Sequence, residues 1–259
     1  MSKILLALQF YPGDQEQAMD LARLIADLEP RHSERADLML SGRFDVQHDR
    51  DAIAYVSRSF NTIPFVSRRN GIGWPHGCNE LWFDTVEFCR ENIEAKKWPE
   101  YKAILTFEAD CVPLRKDWIE RLHQAWDARR SSEICAGALL QAPGEHMNGN
   151  MLVSAAVQDL HFFRKIGGAP PAAGWDFAIA GKLKNRGWLP IGDIVSYWGM
   201  RTCPNDVFEE LRRRDVALLH GCKDSSGIAL ARRTFLSQRS LGYQIRPPRG
   251  QRIQVKRTL

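Results

Sequence analysis

The feature that most restricts the fold of this chain is a regular exchange between short apolar runs and amphipathic stretches. Residues 3–10 (KILLALQF) are apolar over the length of a strand apart from Lys3 and Gln9, which predicts a strand buried on both faces. Gly13 or Asp14 then opens a helix to about residue 28, with Ala18, Leu21, Ala22, Ile25 and Leu28 at helical spacing. Residues 36–41 (ADLMLS) predict a second strand, residues 50–60 have helical character, and residues 62–66 (TIPFV) predict a third strand. A glycine-rich loop, 68–79 (RRNGIGWPHGCN), leads into a helix at about 79–95 with Leu81, Trp82, Val86 and Cys89 among its apolar positions. Residues 102–107 (KAILTF) are the clearest central strand, and they end in Glu108-Ala109-Asp110. Asp117 is expected to cap the next helix, which carries Trp118, Leu122 and Trp126 on one face. Residues 134–142 (ICAGALLQA) predict a further strand. Alternation of this kind predicts an α/β layer fold. There is no internal repeat, low-complexity tract or long linker, so residues 1–239 are expected to form one domain. Residues 240–259, with Pro247-Pro248 and Gly250, are expected to form an extended tail.

Composition excludes several classes. A chain of 259 residues with 44% hydrophobic and 26% charged content has enough apolar material for a sizeable core without staples. Its six cysteines (78, 89, 111, 135, 203 and 222) contain no C-x-x-C pair, which argues against a zinc ribbon or a thioredoxin-like site. They are expected to be reduced, mostly buried thiols of a cytoplasmic protein. The run after Lys3 is too short for a signal peptide, and no apolar run is long enough to span a bilayer. The net charge of +5 equals that of the tail, where Arg246, Arg249, Arg252, Lys256 and Arg257 occur with no acidic residue. Such a tail is either a solvated end or a contact for a polyanion, nucleic acid or an anionic membrane surface.

Glu108 and Asp110 place two carboxylates one residue apart at a strand's carboxyl end, where both can reach a site above the sheet. Oxygen ligands suit Mg²⁺ or Mn²⁺, which often bridge a protein carboxylate to a diphosphate. A solvated strand end would carry the same residues, so the pair by itself leaves both readings open.

The spacing of several elements resembles the GT-A-fold glycosyltransferases, especially the inverting, nucleotide-sugar-dependent family 2. Asn70-Gly71-Ile72-Gly73-Trp74 and Gly77-Cys78-Asn79 match that family's Asn/Gly loop, and LTFEADCVPLRKDWIERL (105–122) matches its strand, metal motif and following helix. Asn148-Gly149-Asn150-Met151-Leu152-Val153, FFRKIGG (162–168), Gly174-Trp175-Asp176 and the helical stretch 177–188 match the second half. The likeness covers residues 3–224. Two departures stand out: Glu108 occupies a position that is usually Asp, and Trp175 precedes Asp176 where the family often has a second acid.

The resemblance implies a mixed central sheet flanked by helices and a hexosyltransferase-type enzyme that takes Mn²⁺ or Mg²⁺ and a nucleoside-diphosphate sugar. It implies Asp176 as the catalytic base, which removes the acceptor hydroxyl proton during inversion. Asp110 and Glu108 are implied as metal ligands, His220 as a further ligand, and Lys223 as the partner of the leaving diphosphate. Arg69, Asn70, Asn79, Glu108 and Asn148 are candidates for donor contacts, with Arg68 and His146 as further polar groups. Trp74, Trp175 and Trp198 are candidate stacking faces. A glycan acceptor in a bacterial cytoplasm is the leading reading. The alternative is the DNA of a phage-infected bacterium, bearing a hydroxymethylated pyrimidine that would have to flip from the duplex. Two rivals come from other classes. A sugar nucleotidyltransferase is disfavoured because Phe10-Tyr11-Pro12-Gly13 lacks a glycine-rich, basic nucleotide loop. A non-catalytic nucleotide-sugar or nucleic-acid binding module is the other. The His-Cys pairs His76/Cys78 and His220/Cys222 fit no common zinc spacing.

Overall fold

A computed structural model describes residues 2–30, 33–166 and 173–236. The basic tail expected at 240–259, and any polyanion contact it makes, lies outside the described residues, as do Gly167 and Gly168.

The apolarity of KILLALQF follows from its place near the middle of a seven-stranded sheet ordered β3-β2-β1-β4-β7-β6-β8. On β1 (Lys3–Phe10), Ile4, Leu6 and Leu8 join a core shared with α1 (Gln15–Leu28), α4 (Trp118–Asp127) and α9 (Ser226–Phe235). Leu5 and Ala7 turn to the opposite core, shared with α3 (His76–Glu94) and α5 (Val157–Ile166). Each such fully buried Leu stabilises the fold by about 1.5–3 kcal/mol. The strands β2 (Ala36–Gly42), β3 (Thr62–Val66) and β4 (Tyr101–Glu108) run parallel to β1, so their carboxyl ends share one edge. Beyond β4 the sheet becomes mixed. β7 (His146–Ser154) pairs antiparallel with both β4 and β6 (Cys135–Leu140), and β8 (Trp188–Pro190) runs parallel to β6. A second sheet of three short strands, β5 (Cys111–Pro113), β10 (Leu218–His220) and β9 (Ile194–Ser196), is ordered β5-β10-β9. Helix α2 (Arg50–Val56) precedes β3, and α8 (Asn205–Arg213) precedes β10.

Four local expectations are corrected. Helix α3 starts at His76 rather than 79, because Pro75 O accepts Asn79 N at 2.9 Å and Gly73 O accepts Gly77 N at 2.6 Å. The helical region near 50–60 ends at Val56. The side chain of Asp117 caps nothing, since Arg115 takes both its carboxylate oxygens, at 2.7 and 2.9 Å. The single helix expected at 177–188 is two, α6 (Trp175–Ala178) and α7 (Ala180–Arg186), interrupted at Ile179. It stops at Gly187, whose φ of +113° and approach to Ser132 O admit no Cβ. No helix among the described residues is long and apolar enough to cross a membrane. All six cysteines are free, and only Cys78 is less than fully buried.

Candidate active site

The chain leaves the large sheet at Glu108, which pairs with Gln9, and enters the small sheet at Cys111. Strand β10 lies antiparallel to β5 with His220 opposite Cys111, which brings the imidazole to the Glu108–Asp110 turn. The backbone locks this junction. Asp110 O accepts Gly221 N at 3.2 Å and Cys222 N at 3.0 Å, while Asn150 Oδ1 accepts Glu108 N at 2.8 Å. Gly221 has φ +117°, and a Cβ there would fall 2.1 Å from Tyr197 O, so only glycine fits beside the histidine.

Glu108, Asp110 and His220 each direct one ligand atom into a group spanning no more than 4.8 Å. His220 Nε2 lies 3.4 Å from both Glu108 Oε2 and Asp110 Oδ2, and its Nδ1 is hydrogen-bonded to Ser196 Oγ at 2.7 Å. Asp110 Oδ1 is buried and makes no hydrogen bond. Lys223 Nζ forms an ion pair with Asp110 Oδ2. Burial alone would raise the Asp110 carboxyl, but His220 and Lys223 outweigh it and hold it at about 2. Burial would likewise lower His220, yet Asp110 and Glu108 raise it to about 9. Asp14 adds a further acid. Burial, with the charges of Glu108 and Asp110, pushes its carboxyl to about 7 against a hydrogen bond from Tyr11 N. Two carboxylates and an imidazole whose ligand atoms converge, one carboxylate oxygen being buried without a partner, fit a divalent cation, and the nitrogen ligand favours Mn²⁺ over Mg²⁺. The Ser196 contact fixes the imidazole from its other nitrogen. No cluster of His76, Cys78, His220 and Cys222 forms among the described residues.

Asp176 sits in the first turn of α6, with Gly174 rather than Asp176 at the N-cap. Its Oδ2 accepts Gly149 N at 3.0 Å and its Oδ1 accepts Phe177 N at 2.9 Å. Burial raises its carboxyl above the ordinary range; the hydrogen bond from Phe177, the charge of His146 and the hydrogen bond from Gly149 oppose this, and Glu108 adds to it. Asn79 is wholly buried and braces that turn: its Oδ1 accepts Trp175 N at 2.7 Å and its Nδ2 donates to Ala173 O at 2.9 Å. Asn148 Oδ1 accepts both nitrogens of Asn150, at 3.1 and 3.0 Å, and so steadies the residue that holds Glu108 N.

The remaining expected residues are placed less centrally. Arg69 is half-buried with its backbone N donating to Ser67 Oγ, and Asn70 is exposed, both between β3 and α3. The Arg68 guanidinium is already held by Asp84 at 2.7 Å and Glu91 at 3.0 Å. Trp175 is buried against Trp82, ring centroids 3.6 Å apart, whereas Trp74 and Trp198 are 72% and 79% exposed. Sequence reasoning passed over Asn150, Ser196 and the carboxylate of Asp14. A signal existed for Asn150: His146, Asn148 and Asn150 alternate along one face of a buried strand, where apolar residues are expected.

Neither a family model nor a curated protein sequence matches the chain. Solved structures do. An active-site mutant of LgtC shares 8% identity at a TM-score of 0.53, over 84% of this chain and 87% of that one. A glycosyltransferase involved in glycosylation of the major capsid of PBCV-1 shares 12% identity at a TM-score of 0.51, over 89% of this chain and 98% of that one. Mouse xyloside xylosyltransferase 1 shares 12% identity at a TM-score of 0.50, over 85% and 98%. The chain therefore has the GT-A-like fold of these glycosyltransferases, and at such identities the likeness is one of fold.

Proposed function

We propose that the protein is a glycosyltransferase that moves a sugar from a nucleoside-diphosphate donor to an acceptor hydroxyl, with Glu108, Asp110 and His220 holding Mn²⁺ or Mg²⁺. The observation that carries this is the triad itself, three ligand atoms converging within 4.8 Å at the strand ends of a glycosyltransferase fold, with Asp110 Oδ1 buried and without a hydrogen bond. A buried carboxylate oxygen without a hydrogen bond costs stability, and beside a second carboxylate and an imidazole it is offset by a bound cation. When bound there, a divalent cation supplies positive charge against the departing diphosphate.

The residues divide the remaining work. Lys223 places a second positive charge beside Asp110, where it can accompany the leaving phosphate oxygen. Asp176 takes the hydroxyl proton as the acceptor oxygen bonds to the anomeric carbon and the bond from that carbon to the phosphate oxygen breaks. A single displacement of this kind inverts the anomeric centre. Its raised proton affinity suits Asp176 to a base, since a carboxylate of ordinary pKa attracts a proton weakly. Asn148, Arg69 and Asn70 are assigned to the donor, and Asn79 acts on Asp176 by fixing the turn that carries it.

The test is a panel of nucleotide sugars with Mn²⁺ or Mg²⁺, read by donor hydrolysis and by thermal stabilisation. At least one donor is expected to be hydrolysed in a metal-dependent manner by the wild type and not by Asp110→Ala. If no donor is cleaved or shifts the melting temperature, and Asp110→Ala behaves as the wild type does, the proposal fails.

A further inference from the structure

Strand β7 opens on His146, which is buried and heads the polar row His146, Asn148 and Asn150. Asn150 holds Glu108 N and Asn148 holds Asn150, so two of the three already serve the site. The imidazole packs against the turn that carries Asp176. The Phe177 ring lies edge-on to it, with centroids 5.5 Å apart and planes at 88°. Phe177 is also the residue whose N donates to Asp176 Oδ1 at 2.9 Å. The imidazole is anchored from the approach to its own strand, where Nδ1 lies 2.7 Å from Gly144 O. A carbonyl oxygen only accepts, so Nδ1 carries a hydrogen and Nε2 is the atom that gains or loses the proton. Gly144 lies against the same phenyl ring, since a Cβ there would fall 3.3 Å from Phe177 Cε2. Gly144, His146 and Phe177 therefore pack as one unit beside the carboxylate.

Packing alone does not require an ionisable ring at this place, because a phenyl group would fill it without the cost of burying polar nitrogens. The charge matters to Asp176. Burial and the charge of Glu108 favour the protonated carboxyl, and the N–H of Phe177, the charge of His146 and the N–H of Gly149 oppose them. Two of these three opposing groups belong to the backbone, whereas His146 is a side chain. The other charges on the elements around β7 are engaged or lie at the surface. Glu108 comes from β4, whose Lys102 pairs with Asp127 at 2.7 Å. From α7, Lys184 pairs with Glu145 at 2.5 Å, Arg186 pairs with Asp159 at 3.1 Å, and Lys182 is separated from them by Leu183, which is buried. Strands β6 and β9, which also pack on β7, carry no charged side chain.

We propose that His146 is a positioning residue for Asp176: its imidazole, anchored to Gly144 and packed on Phe177, holds the first turn of α6 and presents positive charge to the carboxylate that receives the acceptor proton. The inference rests on the transferase reading above, in which Asp176 is the base, and adds the side chain that readies it.

The experiment compares the full-length wild type with His146→Phe, which keeps a ring and removes the charge, and His146→Ala, which removes the packing as well. Titration of Asp176 is followed by carbon NMR of protein labelled at the aspartate carboxyl carbon, in saturating Mg²⁺, with Asp176→Asn identifying its signal. The Asp176 midpoint is expected to move to higher pH in both variants, because the opposing charge is gone. The amide signals of Gly149 and Phe177 are expected to stay in place in His146→Phe and to shift in His146→Ala. Hydrolysis of UDP-glucose, UDP-galactose, UDP-xylose and GDP-mannose, with water in the acceptor's place, is measured across the same pH range. Its acid limb is expected to move with the Asp176 midpoint. An unmoved midpoint in His146→Phe would leave the imidazole a packing residue and overturns the proposal. A limb that stays in place while the midpoint moves overturns it as well. Failure of the transferase reading looks different: the wild type cleaves none of the four sugars at any pH while the Asp176 midpoint still follows His146, and the catalytic assignment then falls with that reading.

Discussion

Two aspartates on either side of β1 are almost equally buried, Asp37 on β2 at 2% exposure and Asp110 in the turn just after β4 at 5%, and they sit at opposite ends of the large sheet. Asp37, near the start of β2, accepts from Lys3 Nζ at 2.7 Å, Tyr101 Oη at 2.7 Å and Asn61 Nδ2 at 3.2 Å. Asp110 has an Oδ1 with no hydrogen bond, while its Oδ2 faces His220 Nε2 at 3.4 Å and the Lys223 ammonium. Both residues are buried charges, but Asp37 has a partner for each of its oxygens and Asp110 Oδ1 has none. The contrast separates a charge that organises the fold from a charge kept for a ligand.

Substitutions at the two positions should therefore fail in different ways. Asp110→Ala is expected to lower metal-dependent donor cleavage about a thousandfold or more. Its metal-free stability should fall by about 2–3 kcal/mol, because the ion pairs with His220 and Lys223 outweigh the burial cost of the carboxylate. Asp37→Ala should cost about 3 kcal/mol by stranding Lys3 and the Tyr101 hydroxyl, while turnover per folded molecule stays as in wild type. Thermal unfolding with and without Mn²⁺ sharpens the comparison. Metal at about 100 times its Kd adds about 2.7 kcal/mol to a protein that binds it only when folded, a gain expected in Asp37→Ala and absent in Asp110→Ala. Equal metal-induced shifts in the two variants would erase the distinction.

The next largest effect concerns Asp176. Burial raises its carboxyl, so it keeps its proton at pH values where a free aspartate is already ionised. A protonated carboxyl cannot accept the hydroxyl proton. Transfer should therefore rise with pH through a midpoint above the ordinary carboxylate value of about 4, in the kcat profile of the wild type. Asp176→Asn should lower transfer about a hundredfold or more and leave no such limb. A variant that keeps the wild-type profile assigns the limb to another group.

What could be read from the sequence follows the same division. β1 and β4 were legible because burial on both faces imposes continuous apolarity, and LLH before Gly221 marked β10 for the same reason. The small sheet was otherwise not legible. Its strands are three residues each, too short to set a period, yet β5 and β10 are what bring His220 to Asp110. The resemblance of the motifs supplied that proximity where periodicity could not. The break at Ile179 carried no glycine or proline to mark it, and the role of Asn79 as a brace depends on a contact 96 residues away. Asp14 was visible only as a helix start, since its nearness to Glu108 exists only once β1 and β4 are paired.

Asp14 also gives the smallest effect, and it tests whether the acidic end behaves as one group. Its pKa is raised to about 7, so the native state holds the proton more tightly than the unfolded chain does. Between about pH 4 and pH 7 the unfolded chain has released this proton and the native state has not, so stability falls as pH rises through that window. Asparagine does not ionise, and its Oδ1 can still accept the hydrogen bond from Tyr11 N. Asp14→Asn should therefore match the wild type at pH 4 and exceed it by about 1–3 kcal/mol at pH 8, measured by thermal unfolding in metal-free buffer. Adding Mn²⁺ at pH 8 should shrink the advantage, because positive charge at Glu108 and Asp110 relieves the repulsion that the substitution removes. A stability difference that is the same at pH 4 and pH 8 would mean that Asp14 does not titrate with the site, and its acidity would then belong to the helix start alone.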